Sequence, residues 1–110
     1  KKVKDLLFLD TLKLTGVADG LVKKVALSTG SGFEYYNEAV KKGADVYITA
    51  DVKYHDAQIA VETGVPVIDA THYASENIIV PVLCEYLRTK GFGGVTILAS
   101  RENGQTFRYI

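Results

Sequence analysis

The sequence predicts an α/β fold with a largely parallel sheet and helices on both faces, and three observations lead there. From Leu21 onward, short β-branched runs alternate with amphipathic stretches about ten residues long, the signature of strand–helix–strand units. The runs VYIT and VPVI are almost continuously apolar, as strands covered on both faces are. Glycines also stand at the helix exits, at Gly43, Gly64 and Gly91, where a left-handed residue ends a helix cheaply.

Taken in order, VKKVALS (22–28) reads as a strand and TGSG (29–32) as the loop that follows it. FEYYNEAVKK (33–42) places Phe33, Tyr36, Ala39 and Val40 at the three-and-four spacing of a helix face, with Gly43 as its stop. ADVYIT (44–49) is the second strand. ADVKYHD (50–56) leads into a helix that runs through AQIAVET to Gly64, and VPVIDA (65–70) is the third strand. The stretch from THYASE through IIVPVLCEYLRTK to Gly91 is the longest helical segment. Pro81 within it predicts either a kink or a first turn placed later than His72. GVTILAS (94–100) has strand composition, and ENG (102–104) before QTFRYI (105–110) favours an antiparallel carboxyl-terminal hairpin. Residues 1–20, around KDLLFLDTLKL, read as a helix or an extended arm.

The 110 residues amount to a single α/β domain, and a domain of that length hides roughly two thirds of its unfolded surface. Hydrophobic residues make up 47% and charged residues 24%, as in globular proteins. Lys plus Arg and Asp plus Glu balance at 13 each, so no long-range field recruits nucleic acid or an anionic membrane. The single cysteine, Cys84, has no internal disulfide partner, which suits a reducing, cytoplasmic location. The apolar runs are too short to span a bilayer. The sequence contains no methionine, at its start or elsewhere, which is compatible with a fragment or a processed product.

Three phrases leave the carboxyl ends of the expected strands, the edge where parallel sheets bind ligands: STGSG, TADVKYHD and DATHYASE. STGSG (Ser28, Thr29, Gly30, Ser31, Gly32) stands before a helix, where backbone N–H groups could receive phosphate or carboxylate; a plain strand-to-helix turn is the alternative. Asp51 is a candidate helix cap, and His55 lies four residues later. His72 and Glu76 have the spacing that turns an imidazole and a carboxylate toward one point on a helix, a donor mixture that zinc, manganese and iron accept. An isolated pair of this kind is commonly a surface accident. Here Asp51 and His55 repeat the spacing in reverse one crossover earlier, and the chain's only two histidines both fall in strand exits. Asp69 could orient His72 or cap the turn. Tyr54 and Tyr73 are amphipathic fillers with hydroxyls near the same edge.

The run GADVYITADVKYHDAQIAVETGVPVIDATHYASE, residues 43–76, resembles the run GADVYITGDxKYHDAxxAxxxGxxxIDAGHYxSE of the NGG-interacting factor three family, many members of which are called GTP cyclohydrolase 1 type 2 homologues. STGSG and the closing FRYI are similar to the corresponding family segments. The resemblance covers about Lys23 to Ile110 and implies the carboxyl-terminal half of a protein with two α/β halves and two metal ions between them. It implies His72 and Glu76 as metal ligands and Asp51 and His55 as acid/base candidates lining the cleft; Asp69 and Tyr73, by their place at the same strand exit, are the expected supports behind the ligands. The family's remaining ligands, including a histidine pair, belong to the other half, and this chain has no HH. Ala50 and Thr71 stand where the family run has glycine, and each adds a side chain to a tight path.

The leading expectation is therefore a divalent-metal protein binding zinc, manganese or iron, acting as a cyclohydrolase-like hydrolase on a nucleotide or related heterocycle. Metal-bound hydroxide would be the nucleophile. Two ions are expected in the complete family assembly, and this chain alone could hold none. Two alternatives stand beside it: a noncatalytic assembly or protein-interaction module, and a metal-free phosphate or nucleotide binder. The expected partners are further copies of the chain, forming a homo-oligomer, or a missing amino-terminal half, with no nucleic acid and no membrane.

Overall fold

The computed structural model describes residues 1–108. Four strands form one sheet in the order β1-β4-β3-β2, where β1 is Lys13–Leu14, β2 Val25–Ser31, β3 Val46–Ala50 and β4 Val67–Asp69. β2, β3 and β4 run parallel, and β1 lies antiparallel against β4. The helices are α1 (Lys2–Leu7), α2 (Tyr36–Lys41, after a 3-10 turn at Phe33–Tyr35), α3 (Tyr54–Thr63), α4 (His72–Asn77) and α5 (Ile79–Thr89). The mostly parallel α/β sheet flanked by helices on both faces is as the sequence predicts. Residues 1–20 resolve the choice between helix and arm by being both, a helix and then the short strand β1.

Strand alternation divides the sheet. Tyr47 and its ladder partner Val67 face α2 and α3, where they meet Tyr36, Ala39, Ala44 and Ala60 in the buried core. Phe33 stacks on Tyr36 at 4.9 Å between ring centroids, and Tyr36 meets Tyr47 edge-on at 5.9 Å. Both phenols are satisfied: Tyr36 donates to the Val65 carbonyl at 2.8 Å and Tyr47 to the Gly32 carbonyl at 2.7 Å. Burial raises the pKa of each. Small alanines on the facing helices let the two tyrosine rings fill this side completely.

The other face carries Leu27, Ile48 and Ile68, aligned across β2, β3 and β4. Only α1 and α4 lie over it. They leave a groove of about 340 Å3 lined by Val3, Leu6, Leu7, Leu27, Ile48 and Ile78 among others. Leu27 is 67% exposed although it points from a strand toward this groove.

Element boundaries follow from particular contacts. The first long strand begins at Val25 rather than Val22 because the Asp45 carboxylate accepts the Lys23 and Lys24 N–H groups at 2.8 and 2.7 Å, diverting them from the ladder. Those donors also hold Asp45 below the usual carboxylate range. Gly64 ends α3 in the left-handed conformation, φ 82°. Pro81 falls in the first turn of α5, and the helical segment breaks before it, between Asn77 and Ile79, because proline lacks the N–H that an unbroken helix needs there.

The carboxyl-terminal hairpin is not formed. α5 is the last regular element among the described residues, and 94–100 has no strand partner. At the ENG turn the Asn103 side-chain oxygen accepts the Gln105 N–H at 3.0 Å, a local turn that closes without a strand ladder. The rest of the expected last strand, residues 109–110, lies outside the described residues. Among those described, no helix is long and apolar enough to cross a membrane.

Candidate functional site

The three strand exits do gather at one edge. His72, the first residue of α4, places Nδ1 2.6 Å from an Asp51 oxygen and Nε2 3.3 Å from Glu76 Oε1. Glu76 arrives from one helical turn further along α4, as the four-residue spacing requires, and Asp51 from the exit of β3. The imidazole is thus held between two carboxylates. Asp51 on Nδ1 raises the His72 pKa most; partial desolvation opposes the shift, and the Glu76 and Asp51 charges add to it.

β2 forms the floor of this arrangement. STGSG is not a free loop: the strand continues through Ser31, with an irregular register between Leu27 and Ser31 that lets Gly30 bulge at φ 61°. A Cβ on Gly30 would collide with the Glu76 carboxylate and lie 3.2 Å from His72 Nε2. Gly30 N–H donates to Ser75 Oγ at 3.2 Å and Gly32 N–H to Thr49 Oγ1 at 3.0 Å, while the Thr49 hydroxyl donates to the Gly30 carbonyl at 3.1 Å. Two of the amides expected to receive an anion are therefore committed to the fold, and the nearest charged side chain is the Glu76 carboxylate.

Of the remaining candidates, Asp69 and Tyr73 border the cluster and His55 does not join it. His55 sits on the first turn of α3 with Nδ1 3.0 Å from Gln58 Oε1 and its ring edge-on to Tyr54, so it does not share a hydrogen bond with Asp51. Asp51 does not cap α3. The helix starts at Tyr54, and Asp56 accepts the Lys53 N–H at 3.2 Å from the third helical position. Asp69, only 3% exposed, accepts the Thr71 N–H at 3.1 Å, the Val52 N–H at 3.2 Å and the Lys13 ammonium at 3.0 Å. It caps the β4–α4 turn and ties β1 to it, leaving the orientation of His72 to Asp51. Tyr73 lines a groove with Leu7, Phe8, Ile78 and Pro81 and also borders the pocket formed by Lys13, Asp51, Asp69 and His72. Sequence reading missed Ser75, Thr49 and Lys13, whose partners lie 17 to 56 residues away in the chain.

This geometry overturns the metal reading. Among the described residues, no group of three or more His, Cys, Asp and Glu side chains could hold a metal ion. His72 and Glu76 supply two donors, while Asp51, the third group nearby, bonds the opposite nitrogen of the same ring. The two carboxylates therefore flank the imidazole rather than converge with it on one point. The expected zinc, manganese or iron does not fit these residues, and the metal-dependent hydrolase that rested on such an ion is not supported.

Two backbone positions at the cluster have positive φ. Asp51 lies at φ 54°, a region where aspartate is tolerated. Thr71 lies at φ 62° and ψ 145°, where glycine is favoured, and its Oγ1 is buried without a hydrogen-bond partner among the described residues. Thr71 is also where the resembling family run has glycine.

Comparison with known proteins places this architecture. The family model described as Duf34/NIF3 (NGG1p interacting factor 3) matches residues 1–104. A GTP cyclohydrolase 1 type 2 homolog of Bacillus subtilis (strain 168) is 37% identical over 111 residues, spanning 98% of this chain and 30% of its own length. A protein of the same description from Streptococcus pneumoniae serotype 4 is 33% identical, spanning 100% of this chain and 44% of its own. The crystal structure of Staphylococcus aureus protein SA1388 superposes with a TM-score of 0.82 at 32% identity, over 97% of this chain and 31% of that one. This chain thus spans between about a third and under half of the relatives it matches. On the match across nearly its whole length, the chain belongs to the Duf34/NIF3 family.

Proposed function

We propose that this α/β unit is a noncatalytic assembly module, built to bury its open sheet face against further copies of the same chain. The carrying observation is surface area. The chain exposes 8426 Å2, whereas a folded monomer of 12.0 kDa exposes about 6,000 Å2. Its radius of gyration of 16.5 Å likewise exceeds the roughly 13 Å of a compact domain of this length. Part of this excess of about 2,400 Å2 belongs to residues 91–108, which follow α5 almost wholly exposed and without helix or strand, and part to the open sheet face.

The uncovered surface is also apolar where it should be buried. Leu6, Leu27 and Ile78 are exposed around the groove over β2 and β3. A continuous apolar patch of this kind marks an interaction surface rather than ordinary surface scatter. The balanced formal charge adds no repulsion between copies. Within this reading the Asp51–His72–Glu76 cluster is a local tie that joins the exits of β3 and β4 beside the Gly30 bulge of β2 and takes no part in the groove.

Sedimentation velocity of the 110-residue chain beside a His72→Ala variant tests the reading. Both should sediment as the same oligomer, because the groove lies on the sheet face and not at the imidazole. A monomeric wild type would remove the proposal.

A further inference from the structure

The segment that follows α5 returns to the strand exits and is seated on α4. Gly104 lies so close to the Tyr73 ring that a Cβ there would stand 3.1 Å from Cε2. Two consecutive side-chain turns fix the residues around it: Asn103 Oδ1 accepts the Gln105 N–H and Gln105 Oε1 accepts the Phe107 N–H, both at 3.0 Å. Gln105 and Phe107 border one hollow of about 250 Å3, together with Lys13, Asp51 and Asp69. At about 30 Å3 per water molecule this is room for roughly eight waters, the size of a free amino acid and too little for a nucleotide.

We propose that this hollow binds the zwitterion of a small α-amino acid with an apolar side chain. Its lining carries two cations, Lys13 and Arg108, and two carboxylates, Asp51 and Asp69, beside the His72 imidazole. A phosphate dianion would meet both carboxylates and a simple amine both cations, whereas a zwitterion gives each sign its opposite. Hydrogen-bonding capacity is left over for both ends. Lys13 gives one of its three N–H groups to Asp69 and keeps two. The Gln105 amide has its oxygen committed and its NH2 group to offer a carboxylate. Asp51 meets His72 through one oxygen, and its other oxygen has no partner among the described residues, which suits an ammonium. Asp69 is buried and already accepts from Lys13 and two backbone N–H groups, so it holds Lys13 in place rather than touching the ligand. The rings of Tyr73 and Phe107 supply the apolar contact for the side chain. The hollow shares no residue with the groove over β2 and β3, so the site is independent of the assembly reading.

Titration of the 110-residue chain with L-phenylalanine, followed by NMR at the Tyr73 and Phe107 ring signals, tests the site. Saturation with a Kd of about 1 mM or tighter is expected for a ligand of this size. Arg108 is exposed, so Arg108→Ala should leave the fold intact while weakening binding about tenfold, and Asp51→Asn should do the same from the ammonium side. Phenylacetate and phenethylamine, which each keep the ring and one of the two charges, should bind at least about tenfold more weakly than L-phenylalanine. Ring signals that stay unmoved at about ten times the expected Kd would overturn the site. So would binding that is unchanged in both variants. Either analogue binding as tightly as L-phenylalanine, or inorganic phosphate moving the same ring signals, would overturn the zwitterion assignment.

Discussion

The two faces of the sheet differ in completeness. Behind it, Tyr36 and Tyr47 are closed in by alanine-bearing helices, with every phenol hydrogen-bonded and the rings in mutual contact. In front, Leu27, Ile48 and Ile68 have only two six-residue helices above them, and the groove stays open. A face that fills itself accounts for protomer stability. A face left unfilled is the one that the proposed association would cover.

Substitutions can sharpen that contrast, beginning with the largest effect. Tyr47→Ala removes a fully packed ring and its hydrogen bond to Gly32, and should cost about 3–5 kcal/mol in urea unfolding. Leu27→Ala, its counterpart on the open face, should change protomer stability by less than about 1 kcal/mol while weakening self-association. Equal losses at the two positions would erase the distinction between the faces.

Gly30→Ala comes next. It puts a methyl group against Glu76 and His72 at a positive φ, with an expected cost of about 1–3 kcal/mol. Thr71→Gly acts in the opposite direction. It relieves the backbone at φ 62° and removes an unpartnered buried hydroxyl, so the melting midpoint should rise by an amount worth about 1 kcal/mol. A lower midpoint would show that the Thr71 side chain contributes packing that outweighs the strain.

The smallest effect concerns proton binding. Because the folded-state pKa of His72 is raised, its contribution to stability is fully present below the ordinary imidazole pKa and is lost as pH rises through the raised value. Asp51→Asn removes the main cause, so the His72 titration followed by NMR should move to lower pH. An unmoved titration would show that Asp51 does not govern the ring.

Much of the fold was legible in the sequence because local signals agreed with tertiary ones. Gly64 stopped α3, Pro81 marked the break before α5, and three strand exits converged as the alternating pattern requires. Two kinds of information were not legible. The GVTILAS run has strand composition, but composition does not say whether a strand finds its partner, and among the described residues the run pairs with neither edge strand, β1 or β2. At the cluster, spacing brings Glu76 to one nitrogen of His72, but it cannot report that Asp51, 21 residues away, takes the other. The Gly30 and Gly32 amides show the same limit, since their acceptors, Ser75 and Thr49, lie 45 and 17 residues distant.

Light scattering of the wild-type chain across a dilution series measures the central claim most directly. The account predicts a mass that is a multiple of 12.0 kDa at high concentration and falls toward 12.0 kDa on dilution. A mass of 12.0 kDa at every concentration would contradict it.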